Sequence, residues 1–207
     1  MAYNSYRPSQ SATPVVLNLI IINVIVFVAQ LAFDKTGGET AWLTDKLALY
    51  SYDTGLFKPY QLVTHMFAHG GFFHILFNMY ALWLFGAVLE KTWGPKRFLI
   101  FYLICGLAAG LTQMFLVTQG AAIGASGAVM GLLAAFAYTF PNVEFYILPF
   151  PFPIKAKYLA AVYAAFDIFG GFSGGGDHVA HFAHLGGLAM GFILAILWNK
   201  KDKRMRY

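Results

Sequence analysis

The chain has 207 residues, of which 59% are hydrophobic and only 11% are charged. Soluble globular domains carry about 25% charged residues, so the composition excludes an ordinary water-soluble domain. The single cysteine, Cys105, excludes an internal disulfide framework and a cysteine-based zinc site. A net charge of +5 suggests nucleic acid binding in a soluble protein, but the positions of the charges along this chain explain it differently.

Uncharged stretches, taken in chain order, predict six membrane spans, because a span needs about 20 mostly apolar residues. The first stretch lacks the basic start and the cleavage site of a removable signal peptide, so we expect a permanent anchor. The fifth is the shortest, and the segment before it, residues 147–154, contains three prolines and is predicted to be a turn at the membrane surface. The predicted spans are residues 14–33, 70–89, 98–118, 121–140, 158–169 and 178–198.

These spans predict an all-α membrane protein with a six-transmembrane-helix bundle. We expect a cytoplasmic N-terminal tail at residues 1–13, the six-helix domain at residues 14–198 and a basic cytoplasmic tail at residues 199–207. Eleven of the fourteen basic residues fall on the side of the two termini and three on the other side. The positive-inside rule therefore places both termini in the cytoplasm, and we expect a plasma or inner membrane. The positive charge sets orientation in the lipid bilayer, and we expect no nucleic acid partner.

Two segments on the outer side differ in composition. Residues 34–64 mix charged residues with tryptophan, tyrosine and phenylalanine, which is typical of a segment in the headgroup region. Residues 170–177 read GGFSGGGD, and we expect a flexible connection that acts as a hinge for a gate.

Polar side chains in three spans are predicted to lie at the same depth. Spans two, four and six all begin on the outer side, and a rise of 1.5 Å per residue places Ser126, His74 and His184 roughly 5 to 10 Å below the surface. Asn78 follows His74 by four residues and therefore shares its helical face. Packing of small residues is the simpler explanation for the Gly-Ala-Ser-Gly sequence around Ser126 when it is taken alone. The coincidence of depth favours chemistry, because polar groups within spans are costly.

This set of side chains suits acyl transfer. Ser126 starts a helix, where free N–H groups favour a developing negative charge, and it can act as the nucleophile. A histidine of span six can act as the base, and His74 with Asn78 can donate hydrogen bonds to the oxyanion. We favour His184 over His181 as the base because glycines three and seven residues after His184 allow its face to approach span four closely.

No acid is obviously placed to orient His184. Asp167 lies near the outer end of span five and Asp177 in the glycine-rich connection. Either acid could help to orient the imidazole, but both are interpreted mainly as structural, and a Ser–His dyad is the simpler prediction. The other histidines are expected to line a water-filled entrance to the site. They are His65, His69, His178 and His181. For His65 and His69 we favour a satisfied interfacial position or an interhelical hydrogen bond over a part in the chemistry.

Three separated motifs occur in the predicted spans: HGGFFHILFNMYALWLFGAVLEKTWGPKRF from His69, GASG at residues 124–127 and AHLGGLAMG from Ala183. They resemble those of the rhomboid intramembrane serine proteases. The resemblance covers all six predicted spans. It implies a six-helix bundle and a Ser–His dyad that cuts transmembrane or membrane-proximal segments of single-span or multi-span membrane proteins, with no cofactor or metal.

The motifs also imply a role for individual residues. Ser126 and His184 match the nucleophile and the base, while His74, Asn78 and the Ser126 N–H match the oxyanion donors. Gly124 matches the wall that faces the substrate, and Met130 is assigned to the same wall. In some family members a tyrosine at the position of Met130 stacks on the catalytic imidazole; a methionine contact with the ring is still favourable. A second departure is Tyr60-Gln61, where many members have Trp-Arg in the first loop.

Three other functions remain as alternatives. The first is a non-catalytic member of the same architecture that binds and handles membrane proteins. The second is a b-type cytochrome with histidines of spans two and six as axial ligands. A zinc protease is the least favoured, because the HExxH motif is absent from the sequence.

Overall fold

The computed structural model describes residues 13–36, 41–118, 120–146, 152–173 and 179–204. Helices dominate these ranges, and two short antiparallel strand pairs connect them: β1 (Leu49–Tyr50) with β2 (Ala121–Ala122), and β3 (Glu144–Phe145) with β4 (Ile154–Lys155). The helices are α1 (Pro14–Thr36), α2 (Trp42–Leu47), α3 (Gln61–Thr64), α4 (Phe72–Ala81), α5 (Ala87–Trp93), α6 (Pro95–Leu116), α7 (Ser126–Thr139), α8 (Ala156–Ser173) and α9 (His181–Arg204). A π-helical segment, Leu82–Gly86, joins α4 to α5 without a break in the helix.

Within the described ranges, four helical stretches are long and apolar enough to cross a membrane. They are Pro14–Asp34, Phe72–Trp93, Pro95–Leu116 and His181–Asn199. These stretches confirm predicted spans one, two, three and six, and with them an all-α, multi-pass membrane protein. The other two predicted spans correspond to α7 and α8, so the count of six crossings stays a prediction. Helix α7 has 14 residues, and at 1.5 Å per residue it is only about 21 Å long.

Helix α7 begins five residues later than the sequence predicts. The predicted span started at residue 121, but residues 121 and 122 form strand β2 and pair with the first loop through β1. Gly124 then donates its N–H to the His65 carbonyl at 2.8 Å and adopts a φ of +122°, a left-handed conformation that favours glycine and does not belong to a helix. The helix therefore starts at Ser126, below the point where the chain enters the bundle.

The structure also differs from the sequence prediction around span five and at the C-terminus. Helix α8 extends the predicted span 158–169 at both ends, and Gly170 and Gly171 are helical rather than part of a flexible connection. A Cβ on Gly170 would overlap the His181 imidazole, so this glycine is a packing position. Helix α9 continues to Arg204, well into the predicted tail 199–207.

Some sequence predictions fall outside the described residues. These are most of the N-terminal tail, His178 and Asp177 in the glycine-rich connection, and residues 147–151 of the predicted surface turn.

The centre of the bundle is α7, which packs against α6 and α9 and has ten buried residues. A Cβ on Gly187 would overlap the backbone carbonyl of Gly127, and one on Gly191 would overlap that of Gly131. The predicted close approach between the glycine face of span six and span four is therefore confirmed. On the other side of α7, a Cβ on Gly131 would lie only 2.6 Å from the Sγ of the buried Cys105.

The outer surface of the bundle is apolar. Large aromatic side chains are more than half exposed on several helices, with Phe73 at 68%, Phe115 at 69% and Phe169 at 76%. A soluble protein rarely exposes such contiguous apolar surface, so these faces are suited to contact with lipid.

The first loop is fixed to the bundle by side chains. Gln30 of α1 donates from Nε2 to the Thr44 hydroxyl at 2.6 Å, and its Oε1 accepts the His69 N–H at 2.9 Å. Gln61 is 2% exposed and its Oε1 accepts the Lys58 N–H at 3.0 Å, so it fastens the loop.

A buried acid fixes the opposite end of the bundle. Glu90 of α5 is 2% exposed, and its two carboxylate oxygens accept the N–H groups of Val15 at 3.0 Å and Val16 at 2.9 Å. These are free N–H groups of the first turn of α1, where a carboxylate is favoured by the helix dipole. Glu90 therefore joins the end of the second membrane helix to the start of the first.

We expect Gly187→Ala to destabilise the protein because the new methyl group has no space against the Gly127 carbonyl. Overpacking of this kind costs about 1 to 3 kcal/mol. Thermal unfolding in detergent measures the effect. Gly71→Ala is the matched control, since a Cβ at Gly71 meets no atom within 4 Å. Equal unfolding temperatures for the two variants would contradict the tight helix contact.

We also expect stability to fall as the pH is lowered. Burial and the neighbouring His74 lower the pKa of His69 to about 4, and burial lowers the pKa of His65 as well. Below pH 6.5 the unfolded chain therefore binds more protons than the folded one, and His69 alone costs roughly 1.4 kcal/mol per pH unit down to its folded pKa. Unfolding temperatures between pH 7.5 and 5 should show a smaller pH slope for His69→Gln than for the wild type. Identical slopes would show that His69 does not carry this effect.

Candidate active site

An open cavity of about 780 Å³ lies between the starts of α4, α7 and α9. Four of the residues that the sequence singled out line it: His74, Asn78, Ser126 and His184. The cavity thus brings together side chains from three helices, as the predicted common depth implied. The rest of its lining is mainly small or apolar: Gly70, Gln113, Val117, Gly120, Ala121, Ala122, Ile123, Val179 and Ala180.

The shortest side-chain contact in the cavity joins Ser126 to His184. The Ser126 Oγ lies 2.8 Å from the His184 Nε2, so the hydroxyl can donate its proton to the imidazole. Ser126 is the first residue of α7 and His184 lies in the first turn of α9. The contact is possible because Gly127 and Gly187, close to each of them in sequence, let the two backbones touch.

The His74 imidazole faces the Ser126 hydroxyl from the other side of the cavity. Its Nδ1 accepts the Gly70 N–H at 3.1 Å, so in the neutral ring the proton lies on Nε2. A Cβ added to Gly124 would be 2.7 Å from this Nε2 and 3.6 Å from the Ser126 Oγ. Gly124 therefore leaves the space between the two side chains open, and the His74 N–H points towards it.

Two further donors border this space. Asn78 lines the cavity and donates one amide N–H to the His74 carbonyl at 2.8 Å. Its amide nitrogen carries a second N–H, which can donate another hydrogen bond. Helix α7 has no side-chain N-cap, and the N–H groups of its first turn, beginning with Ser126, lack partners within the helix. His74, Asn78 and the start of α7 thus provide an array of donors beside the Ser126 hydroxyl.

Asp167, which the sequence analysis interpreted mainly as structural, contacts His184 directly. This acid of α8 is 1% exposed, and its Oδ1 lies 3.0 Å from the His184 Nδ1 and 2.8 Å from the His181 Nδ1. Asp167 therefore meets the imidazole of His184 on the side opposite Ser126. One signal could have found it: Asp167 is an ionisable residue within an apolar helix, and such residues usually have a function.

The other histidines do not line the cavity as expected. His65 is buried against the Gln61 carbonyl at 2.8 Å, and His69 and His181 are at most 4% exposed. Polar contacts hold the rings of His65 and His181, whereas His69 lines a separate cavity of about 310 Å³. None of the three lines the open cavity that holds Ser126 and His184, so the prediction that they line the entrance to that site is wrong.

Two other positions also differ from expectation. Met130 packs against the hydrophobic core and does not line the cavity within the described part of the chain. Gln113 of α6 was not predicted: it lines the cavity, and its Oε1 accepts the Ala183 N–H of α9 at 3.2 Å.

The chain is similar to known proteins of one family. A family profile described as "Rhomboid domain" matches residues 57–201. The chain is 33% identical to RHOMBOID-like protein 1 of Arabidopsis thaliana, over 68% of this chain and 35% of that protein. It is 32% identical to Rhomboid protein 1, mitochondrial, of Saccharomyces cerevisiae, over 70% of this chain and 44% of the relative. It is 37% identical to Rhomboid protease GluP of Bacillus subtilis, over 38% of this chain and 15% of the relative.

The chain spans less than half the length of these three relatives. The profile covers more than two thirds of the 207 residues, including every cavity residue named above. The chain belongs to the rhomboid family.

Proposed function

We propose that this chain is an intramembrane serine endopeptidase that cleaves transmembrane or membrane-proximal segments of other membrane proteins. The observation that carries the proposal is the 2.8 Å contact between the Ser126 Oγ and the His184 Nε2 in an open cavity. Membership of the rhomboid family supports it, and one relative is named a rhomboid protease.

In this mechanism Ser126 is the nucleophile. Its Oγ attacks the carbonyl carbon of the scissile bond while the His184 Nε2 accepts the hydroxyl proton. His184 then returns this proton to the leaving amine, and an acyl ester remains on Ser126. A water molecule, deprotonated by the same Nε2, attacks the ester and releases the second product.

The negative charge on the carbonyl oxygen is stabilised by the donors around Ser126. The His74 Nε2–H, the Asn78 amide and the Ser126 backbone N–H supply hydrogen bonds that are already oriented before the reaction. The dipole of α7 adds positive potential at the same point, because the oxyanion forms at the start of that helix. Gly124 is the part of the wall that keeps this space open to the substrate carbonyl.

The substrate must present an extended backbone, since a peptide bond within a helix is shielded by its own hydrogen bonds. We therefore expect substrates with glycine, proline or polar residues near the cut, which weaken the helix. Small side chains should be preferred at the cut, because the space beside Ser126 is narrow: a Cβ on Gly124 would lie only 2.7 Å from the His74 Nε2.

The proposed topology follows the charge distribution. Both termini lie in the cytoplasm, six spans cross a plasma or inner membrane, and the cavity opens to the outer side. One relative is named as mitochondrial, so the membrane itself is tested by fractionation of cells that express the chain.

A non-catalytic rhomboid-like protein is the alternative. The hydrogen bond from Ser126 to His184 favours the protease, because binding alone does not need a nucleophile paired with a base. Haem ligation is also disfavoured, since both ring nitrogens of His184 are engaged by Ser126 and Asp167.

We expect Ser126→Ala and His184→Ala to abolish cleavage of a single-span substrate in detergent, because each removes one partner of the proton transfer. The loss should be at least about 10³-fold. A fluorophosphonate probe should label the wild type and not Ser126→Ala. Ser51→Ala, at a buried serine outside the cavity, is the control and should cut and label normally. Wild-type cleavage by Ser126→Ala would refute the proposed function.

We expect Asn78→Ala to lower kcat by about 10²- to 10³-fold with little change in KM, because an oxyanion donor acts mainly in the transition state. Asn23→Ala is a matched control: Asn23 is also buried in a membrane helix and donates to a carbonyl four residues earlier, at 2.7 Å, but lies outside the cavity. Equal kcat values for the two variants would remove Asn78 from the oxyanion site.

A further inference from the structure

We propose that Asp167 is a positioning residue that orients His184, so that the site works as a Ser126–His184–Asp167 triad rather than a dyad. This inference rests on the proposed function and extends it. Asp167 does not touch the substrate in this scheme; it acts through the imidazole.

The geometry determines which tautomer of His184 is present. Its Nδ1 lies 3.0 Å from the Asp167 Oδ1, and its Nε2 lies 2.8 Å from the Ser126 Oγ. An ionised carboxylate only accepts hydrogen bonds, so the Nδ1 must carry the ring proton. The Nε2 then has a free lone pair directed at the serine hydroxyl, which is the form a general base requires.

Burial makes this contact strong. Asp167 is 1% exposed in an apolar helix, where an ionised carboxylate is costly unless it is paired. Its Oδ1 accepts N–H groups from both His184 and His181. When His184 takes the serine proton it becomes a cation beside this carboxylate, and the attraction stabilises the transition state.

The sequence places both partners on matching helical faces. Asp167 and Gly170 are three residues apart on α8, and His181 and His184 are three residues apart on α9, so each pair lies on one face of its helix. Gly170 leaves the space that the His181 ring occupies, and the Phe166 ring contacts that imidazole edge-on at 5.5 Å between centroids. His181 thereby fixes the position of the Asp167 carboxylate, which in turn accepts the hydrogen bond that orients His184.

The test replaces the acid with groups of similar size. In Asp167→Asn the side-chain amide can donate to the His184 Nδ1, which moves the ring proton to Nε2 and removes the acceptor for Ser126. We expect kcat to fall by about 10²- to 10⁴-fold with KM within about twofold of the wild type. Asp167→Glu keeps a carboxylate and should retain more activity than Asp167→Asn. The rate of fluorophosphonate labelling should follow the same order.

The matched control is Glu90→Gln, which neutralises another buried carboxylate of a membrane helix, at the opposite end of the bundle. It should lower the unfolding temperature and leave kcat unchanged. A wild-type kcat for Asp167→Asn, with Ser126→Ala and His184→Ala inactive, would overturn the positioning role alone. Cleavage by Ser126→Ala at the wild-type rate would instead refute the proposed function.

A measurement on the wild-type protein keeps the inference testable if Asp167→Asn does not fold. Imidazole nitrogens with and without a proton differ in ¹⁵N chemical shift, so NMR of protein labelled at histidine reports the tautomer. We expect the His184 proton on Nδ1 at neutral pH, with the assignment made by loss of the signal in His184→Gln. A proton on Nε2 would overturn the proposal.

Discussion

The close contact between the backbones of α7 and α9 is the constraint on which the rest of the site depends. Gly127 and Gly187 allow the helices to touch, and Ser126 and His184 lie near enough to them in sequence for their side chains to meet at 2.8 Å. In a membrane no hydrophobic effect drives two apolar helices together, so shape complementarity of this kind must supply much of the attraction. The same glycines therefore allow the helices to pack and bring the Ser126 and His184 side chains within hydrogen-bond distance.

Polar groups in such an environment have to satisfy one another. Asp167, His184 and Ser126 form one continuous line of hydrogen bonds, and His74 is held separately by the Gly70 N–H. Each contact fixes the direction of the next donor or acceptor, so little reorganisation is needed when charge develops. The same bonds offset the cost of burying these side chains.

Much of this arrangement could be predicted from the sequence. Runs without charge predict four of the helices, and the spacing of glycines predicts the α7 and α9 contact. Ser126 was placed at a helix start, but the predicted span began at residue 121, because the pairing of β2 with β1, about 70 residues away, could not be predicted. The sequence could not decide whether Asp167 or Asp177 meets His184, because the rotation of α8 against α9 is set by packing, including the space at Gly170. The π-helical segment Leu82–Gly86 similarly changes which residues of the second span share a face, and the regular 3.6-residue period of an α-helix does not predict this change.

The buried Cys105 has a practical consequence. It is the only cysteine in the sequence, it is fully buried, and it packs beneath Gly131 in the centre of the bundle. A thiol in that position is shielded from water-soluble reagents. A cysteine introduced at the rim of the cavity, for instance at the exposed Val179, would then be the single reactive thiol. Spin labels, fluorophores or cross-linkers to a bound substrate could be attached there without first altering the native core.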